Sequence, residues 1–93
     1  MTDEELLIKI KAGLGIVGNY QDDTLQVYID EVKEFILDAG VNKSVVDSSA
    51  AVGCILKGVN DLMDLQPGAS KFSPYFIQRV VQLSLKSGVS ENV

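Results

Sequence analysis

The chain has 93 residues, of which 46% are hydrophobic and 23% are charged, and its formal net charge is −5. This length and composition are typical of one small globular domain, so we expect residues 1–93 to form a single domain. The acidic balance argues against a protein that binds nucleic acid by neutralising phosphates. No apolar run approaches the roughly 20 residues that span a bilayer, and the acidic start is unlike a signal peptide. We therefore expect the chain to reside in the cytoplasm where it is made, without a membrane.

The charge is distributed unevenly along the chain. Residues 1–47 contain ten acids and four bases, whereas residues 48–93 contain three acids and four bases. Such a split can arise by chance in a short chain. It is also typical of a subunit whose two sides attract each other's counterpart in a head-to-tail assembly.

The first predicted helix runs from Asp3 to Ala12. Thr2 and Glu5 have the spacing of a capping box, in which each side chain accepts a hydrogen bond from the other residue's backbone amide. Gly13 is placed to close the helix, and the glycine-rich stretch 13–19 is predicted to be a loop. One side of this helix is apolar and carries Leu6, Leu7, Ile10 and Leu14.

The second predicted helix shows the clearest periodicity. Asp22 or Asp23 is expected to cap its start, Ala39 is its last residue, and Gly40 ends it. At about 1.5 Å per residue this helix is roughly 25 Å long, so we expect it to be the central strut. Its apolar stripe contains Leu25, Tyr28, Ile29, Val32, Phe35, Ile36 and Ala39.

The middle of the chain predicts two further elements. Residues 41–47 allow a short helical turn that starts at Asn42, and a third long helix follows over residues 50–65. Ser48 or Ser49 is expected to cap that helix. Its apolar stripe contains Val52, Ile55, Leu56, Val59, Leu62 and Met63.

A Gln-Pro-Gly sequence at residues 66–68 predicts a loop that extends to Phe72. Ser73 and Pro74 then form a strong helix start, and the last helix is expected to finish near Gly88 with a flexible tail over residues 88–93. No stretch alternates with period two, so the predicted fold class is all-α: a small bundle of about four helices plus a short helical turn, with no sheet. The apolar arc of the last helix contains Phe76, Ile77, Val80, Val81 and Leu83.

The residues offer little support for catalysis. The chain has no histidine, which removes the commonest general base and metal ligand. Its one cysteine, Cys54, lies among small residues in a predicted helix and is interpreted as a buried packing residue. The glycines of residues 13–18 lack the Lys-Ser/Thr of a phosphate-binding loop. We therefore predict a protein that is not an enzyme and has no metal and no cofactor.

Two helices carry candidate interface residues. On the second helix, acids recur at i, i+4 and i+8 on the outer face, where two apolar residues also fall; on the last helix, a polar and basic stripe contains the only arginine. A solvated surface explains both stripes, and so does an interface between copies or with a partner. The candidates are Val27, Asp30, Glu34, Leu37 and Asp38 on the second helix and Tyr75, Arg79, Gln82 and Lys86 on the last.

Gly53 and Gly58 lie inside the third long helix, where each costs about 1 kcal/mol relative to alanine. Close approach by another helix would explain both glycines. The sequence alone leaves open whether that helix belongs to the same chain.

Two segments carry a family resemblance: "GNYQDDTLQVYIDEVKEFILDAGV" and the more specific "AAVGCILKGVNDLMDLQPGASKFSPYFIQRVVQL". Over residues 18–85 the chain resembles the small head–tail connector, or head-completion, proteins of long-tailed bacteriophages. The resemblance implies a helical, non-enzymatic protein that assembles as a ring, usually of about twelve copies, on the portal protein of the virion. Such a ring extends the DNA channel without specific DNA binding and supports a downstream neck or tail protein. Before assembly the subunit would be in the host cytoplasm.

Two other functions remain compatible with the residues. One is a small DNA-binding regulator, in which residues 40–47 form the turn of a helix-turn-helix and the next helix reads DNA. That helix offers only Lys57 as a base, beside Asp61 and Asp64. The other is a cytosolic adaptor that binds a partner helix in an apolar groove.

Overall fold

A computed structural model describes residues 1–64 and 72–91, with side chains described as far as Lys86. Within these residues the chain is helical and contains no strand, which confirms the predicted all-α class. Five α-helices and one 3₁₀ turn follow one another in this described part of the chain. They are α1 (Asp3–Leu14), α2 (Asp22–Asp38), α3 (Lys43–Val46), the 3₁₀ turn (Ser49–Ala51), α4 (Val52–Met63) and α5 (Pro74–Glu91).

The start of α1 is as predicted, but its end is not. Thr2 and Glu5 form the capping box, with bonds of 3.0 and 3.1 Å. The helix continues through Gly13, and Gly15 is the left-handed cap, with φ 72°. Gly13 instead lies against α4: a β-carbon there would be 2.6 Å from a methyl group of Leu56. The prediction that Gly13 closes the helix is therefore wrong, because its lack of a side chain serves packing.

Both ends of α2 fall near their predicted positions. The capping residue is Gln21, whose side chain makes no capping bond, so the prediction of an aspartate cap is wrong. Asp22 and Asp23 lie in the first turn, where their charges favour the positive end of the helix dipole. After the helix, Gly40 adopts φ 99°, which side chains rarely tolerate, and it turns the chain toward α3.

The predicted serine cap belongs to the 3₁₀ turn and not to α4 itself, whose N-cap is Ala51 and which has no side-chain capping bond. Ser48 Oγ accepts a hydrogen bond from the Ala50 amide at 3.3 Å, and the 3₁₀ turn then leads into α4. The predicted end of this helix, Leu65, lies outside the described residues. So does the predicted loop, except for Phe72.

The central helix is α4 rather than α2, contrary to the expectation of a central α2 strut. It packs against α1, α2 and α5, and it buries five of its twelve residues. Gly58 explains how α2 and α5 can both approach it. A β-carbon at Gly58 would be 2.7 Å from the Phe76 ring and 2.8 Å from a Val32 methyl group. The buried core contains Leu6, Ile10, Leu25, Ile29, Val32, Ile36, Val41, Val46, Ala51, Cys54, Ile55, Val59, Leu62, Phe72, Phe76, Val80 and Leu83.

The predicted Ser-Pro start of α5 is confirmed. Ser73 Oγ accepts a hydrogen bond from the Phe76 amide at 3.2 Å, and Pro74 is the first helical residue. The helix runs to Glu91, beyond the predicted end at Gly88; residues 92 and 93 lie outside the described part. Just before the helix, the buried Phe72 ring stacks on Phe76 with centroids 4.5 Å apart.

Candidate subunit interface

The outer face of α2 is acidic, as predicted. Asp30, Glu34 and Asp38 are all exposed, and Val27 lies on the same helix with 63% of its surface exposed. Asp30 accepts a hydrogen bond from the Gln26 amide group at 2.9 Å. The face therefore carries negative charge and one exposed apolar side chain, with Asp30 already engaged within the helix.

Leu37 does not belong to this exposed face. Its side chain is only partly exposed and packs against the apolar core. It lies in the last turn of α2, and α3 packs back against this helix after the turn at Gly40. A wheel drawn for an isolated helix cannot show this packing, because it leaves out the other elements of the domain. Leu37 is therefore less exposed than a position on the outer face implies, and its place in an interface stays a prediction.

A groove lies along one edge of the acidic face. Its apolar wall is formed by Phe35 and Phe72, whose ring centroids are 4.8 Å apart. Three carboxylates, those of Glu31, Glu34 and Asp38, line the same groove, which has a volume of about 300 Å³. Sequence reasoning found two of these acids but missed the groove, since Phe72 is distant in the chain and was assigned to a loop.

The basic stripe of α5 lies next to α4. Tyr75, Gln82 and Lys86 are exposed, whereas Arg79 is half-buried. The Arg79 Nη2 atom is 3.5 Å from the position of a β-carbon at Gly53. Because that distance is an ordinary contact, close packing explains Gly58 but not Gly53. Among the side chains described, those of residues 1–64 and 72–86, neither Arg79 nor Lys86 forms an ion pair.

The acidic groove and the basic stripe are on different sides of α5. The basic side faces α4, as the contact between Arg79 and Gly53 shows. On the other side, Ser84 Oγ lies 4.0 Å from the position of a β-carbon at Gly40, at the end of α2. No ion pair within the described residues joins the two groups. We name them the acidic flank (Glu31, Glu34, Asp38) and the basic flank (Tyr75, Arg79, Gln82, Lys86).

Several lysines elsewhere in the domain are used internally. Four of them form ion pairs that join helices or brace one turn of a helix, so their charges are partly neutralised within the subunit. Among the side chains that the structure describes, Arg79 and Lys86 of the basic flank form no such pair, and neither does Lys9. The internal pairs are Lys11–Asp22 (2.8 Å), Lys33–Asp3 (3.8 Å), Lys33–Asp47 (3.6 Å), Lys43–Asp47 (2.6 Å) and Lys57–Asp61 (3.2 Å).

The outer surface of α5 exposes a row of large apolar residues. Ile77, Val81 and Leu85 are 40%, 52% and 65% exposed. Ile77 and Val81 belong to the predicted apolar arc of α5 but are not buried. The arc is wider than the part of α5 that faces α4 and the end of α2, so these residues lie outside the contacts made by the described residues. Met63, predicted in the stripe of α4, is likewise 40% exposed.

Cys54 is fully buried, as predicted for a packing residue. Burial raises the pKa of its thiol to about 11, although the nearby Arg79 charge opposes this rise. Within the described residues there is no group of three or more His, Cys, Asp or Glu side chains that could hold a metal ion. None of the described helices has the length and apolarity needed to cross a membrane.

Asp61 has a structural role that the sequence did not reveal. Its Oδ2 atom accepts hydrogen bonds from the Ser73 amide at 3.0 Å and from the Ser73 hydroxyl at 2.8 Å, while Oδ1 pairs with Lys57. Burial alone would raise the pKa of Asp61, but the bonds from Ser73 and Lys57 outweigh it and the pKa is lowered. Lys57 is therefore engaged within the domain, on a helix that packs against three others. This arrangement gives no basic face with which α4 could read DNA.

Comparison with known proteins gives one clear relationship. No curated protein and no solved structure matches the chain significantly. The family model for the phage gp6-like head-tail connector protein matches residues 4–87, which includes the first helix as well as the segments that carried the resemblance. Members of this family are structural proteins of the virion that act through contacts with other head or tail proteins. The chain belongs to the phage gp6-like head-tail connector family.

Proposed function

We propose that this protein is a non-enzymatic adaptor that assembles as a ring on the portal and joins the phage head to neck or tail proteins. The observation that carries the proposal is the separation of opposite charges on two sides of one small domain, with Glu34 and Asp38 exposed on α2 and Arg79 and Lys86 on α5. An isolated subunit leaves both flanks facing water. A ring lets the basic flank of each copy meet the acidic flank of the next.

This arrangement is a head-to-tail contact, in which one surface meets a different surface of the neighbour. Such contacts close into a ring when a whole number of equal rotations from copy to copy makes one full turn. The portal would supply the template, and by resemblance to the family the ring would contain about twelve copies. Arg79 suits such a contact because its rigid guanidinium can pair with a carboxylate through two hydrogen bonds.

The same ring would extend the channel through which DNA passes. A subunit with a net charge of −5 repels phosphates, so DNA can pass without being bound specifically. The opposite side of the ring would hold the next neck or tail protein. The subunit would be in the host cytoplasm before assembly and in the virion afterwards.

Electron microscopy of portal rings mixed with this protein tests the proposal. We expect excess protein to add a ring of density with the symmetry of the portal. Circular dichroism of the free subunit should show that it is already helical before assembly. Bare portals at high protein excess would contradict the proposal.

Arg79→Glu gives the sharper test because it places an acid on the basic flank. We expect it to abolish ring formation on the portal while leaving the helical circular dichroism unchanged. Lys9→Glu is the matched control, since Lys9 is an exposed base on α1, away from both flanks. Assembly of the Arg79→Glu protein at the level of Lys9→Glu would remove the basic flank from the interface.

A further inference from the structure

We propose that α2 of one copy packs parallel to α5 of the next copy in the ring, with Val27 of α2 against Tyr75 of α5. The proposal rests on the ring proposed above and assigns the register of the contact between neighbouring subunits. The two surfaces are the basic flank of α5 and a row of exposed residues on α2. We name this row the acidic stripe; it consists of Val27, Asp30, Glu34 and Asp38.

The two rows have the same length and nearly the same spacing. The acidic stripe has residues at offsets of zero, three, seven and eleven positions, and the basic flank at zero, four, seven and eleven. Residues at such offsets form one row along a helix. Each row is about 16 Å long at about 1.5 Å per residue. In a parallel alignment four pairs therefore face each other: Val27 with Tyr75, Asp30 with Arg79, Glu34 with Gln82, and Asp38 with Lys86.

The paired residues are chemically complementary. The exposed fractions of Val27 and Tyr75 are 63% and 57%, so both can lose apolar surface to a neighbour. Arg79 lines two surface clefts, and its guanidinium can pair with a carboxylate through two hydrogen bonds. Asp30 accepts one bond from Gln26, but a carboxylate can accept several hydrogen bonds, so it can also pair with arginine.

The fold favours the parallel alignment. Phe35 of α2 lies beside Phe76 of α5, with ring centroids 5.7 Å apart. Further along both helices, a β-carbon at Gly40 would be 4.0 Å from Ser84 Oγ. The two helices therefore run in the same sense within one subunit. Neighbours in a ring of about twelve copies differ by a rotation of about 30°, so α2 of the neighbour still runs in the same sense as α5.

Other pairings of the same helices match less well. An antiparallel alignment would place Val27 against Lys86 and Asp38 against Tyr75, so neither end would be complementary. Two acidic stripes would bring together three carboxylates from each copy, and two basic flanks would bring together two cations from each copy. The complementary surface for the basic flank is therefore the acidic stripe of a second copy.

On its α4 side the basic flank lies beside Gly53. This glycine is exposed, and the Arg79 Nη2 atom is 3.5 Å from the position of a β-carbon there. Because that distance is an ordinary contact, packing among the described residues does not require a glycine. A neighbouring helix on the basic flank would pass this position, where a larger side chain would obstruct it.

Cysteine pairs test the register directly. The variant with Val27→Cys and Tyr75→Cys, mixed with portal rings and oxidised, should give a ladder of disulfide-linked oligomers on a non-reducing gel. A disulfide needs Cα atoms within about 7 Å of each other. The matched variant with Val27→Cys and Lys86→Cys should give no ladder, because the parallel register separates these residues by about 16 Å. Cys54 is buried and its pKa is raised, so it does not interfere.

Three results of this experiment would overturn the contact. A ladder from the variant with cysteines at Val27 and Lys86 would show the antiparallel alignment. Dimers from Tyr75→Cys alone would show pairing between two α5 helices. Decorated portals without a ladder from the variant with cysteines at Val27 and Tyr75 would show that another protein, or another part of the chain, covers these rows.

Charge exchange separates failure of this contact from failure of the ring. Lys86→Glu should reduce portal decoration by about tenfold or more, because it places two acids together at every interface. Adding Asp38→Lys should restore decoration, whereas adding Asp30→Lys should not, since Asp30 lies about two helical turns from Lys86 in this register. If Lys86→Glu decorates portals as wild type does, or if Asp30→Lys restores decoration equally, the contact is wrong while the ring stands. If wild-type protein leaves portals bare, the ring and the contact both fail.

Discussion

Asp61 holds Ser73 through two hydrogen bonds to a single carboxylate oxygen, and so attaches the start of α5 to α4. The Ser73 hydroxyl has two partners: it donates to Asp61 and accepts from the Phe76 amide. One serine therefore caps a helix and joins it to the central helix. The two residues are twelve positions apart, and this contact fixes where α5 begins relative to α4.

Asp61→Ala should destabilise the fold by about 1–3 kcal/mol, because it leaves the partly buried Ser73 amide and hydroxyl without their acceptor. Urea unfolding followed by circular dichroism measures the change. Asp64→Ala is the control, since Asp64 is exposed just after α4. Equal losses for the two variants would contradict the role assigned to Asp61.

Stability should also depend on pH through Asp61. Its pKa is lower in the folded state than the value of about 4 in an unfolded chain, so the folded state binds this proton more weakly. The stabilisation is complete above pH 4 or so and is lost as the pH falls through the folded pKa. Urea midpoints between pH 6 and pH 2 should fall less steeply for Asp61→Asn than for wild type. Parallel curves would show that this carboxylate does not contribute.

Gly58→Ala should destabilise the domain by about 1–3 kcal/mol because the new methyl group would overlap Phe76 and Val32. Gly53→Ala is the matched control in the same helix. Its nearest neighbour is Arg79 at 3.5 Å, so alanine fits and should stabilise the helix by about 0.5–1 kcal/mol. Thermal unfolding of the two proteins should therefore shift in opposite directions. A shift in the same direction would show that α5 does not approach α4 closely at Gly58.

Cys54 should not react with a thiol reagent at pH 8 while the protein is folded. The thiol is buried, and its pKa of about 11 leaves little reactive thiolate. Reaction with an aromatic disulfide reagent should occur only on addition of urea, over the same range as the loss of helical signal. Rapid labelling of the native protein would show that the α4 core opens readily.

The local rules of helix formation recovered most of the fold from sequence. The capping box at Thr2, the turn at Gly40 and the Ser-Pro start at Ser73 depend on neighbouring residues alone, and all three are confirmed. The errors involve contacts between distant segments. Gly13 was read as a helix end because nothing in its neighbourhood shows that Leu56 packs against it.

For the candidate interface too, the sequence predicted what depends on local spacing and missed what depends on contacts between distant segments. Side-chain spacing identified the charged residues of α2 and α5, since helical periodicity places them on outer faces. It did not identify the groove, because Phe35 and Phe72 meet only through tertiary packing. It also does not separate the exposed Ile77 and Val81 from the buried residues of the same apolar arc, since the arc shows which residues are apolar but not how much of the helix a small domain can cover.

The internal pairing of four lysines has a consequence for how ionic strength acts on this protein. At about 1 M salt the Debye length is roughly 3 Å, so exposed charges on separate subunits hardly attract one another. The fold depends mainly on its apolar core, and exposed ion pairs such as Lys43–Asp47 add little to it. Concentrated salt would therefore dissociate the proposed ring into folded subunits, and dilution would allow them to reassemble.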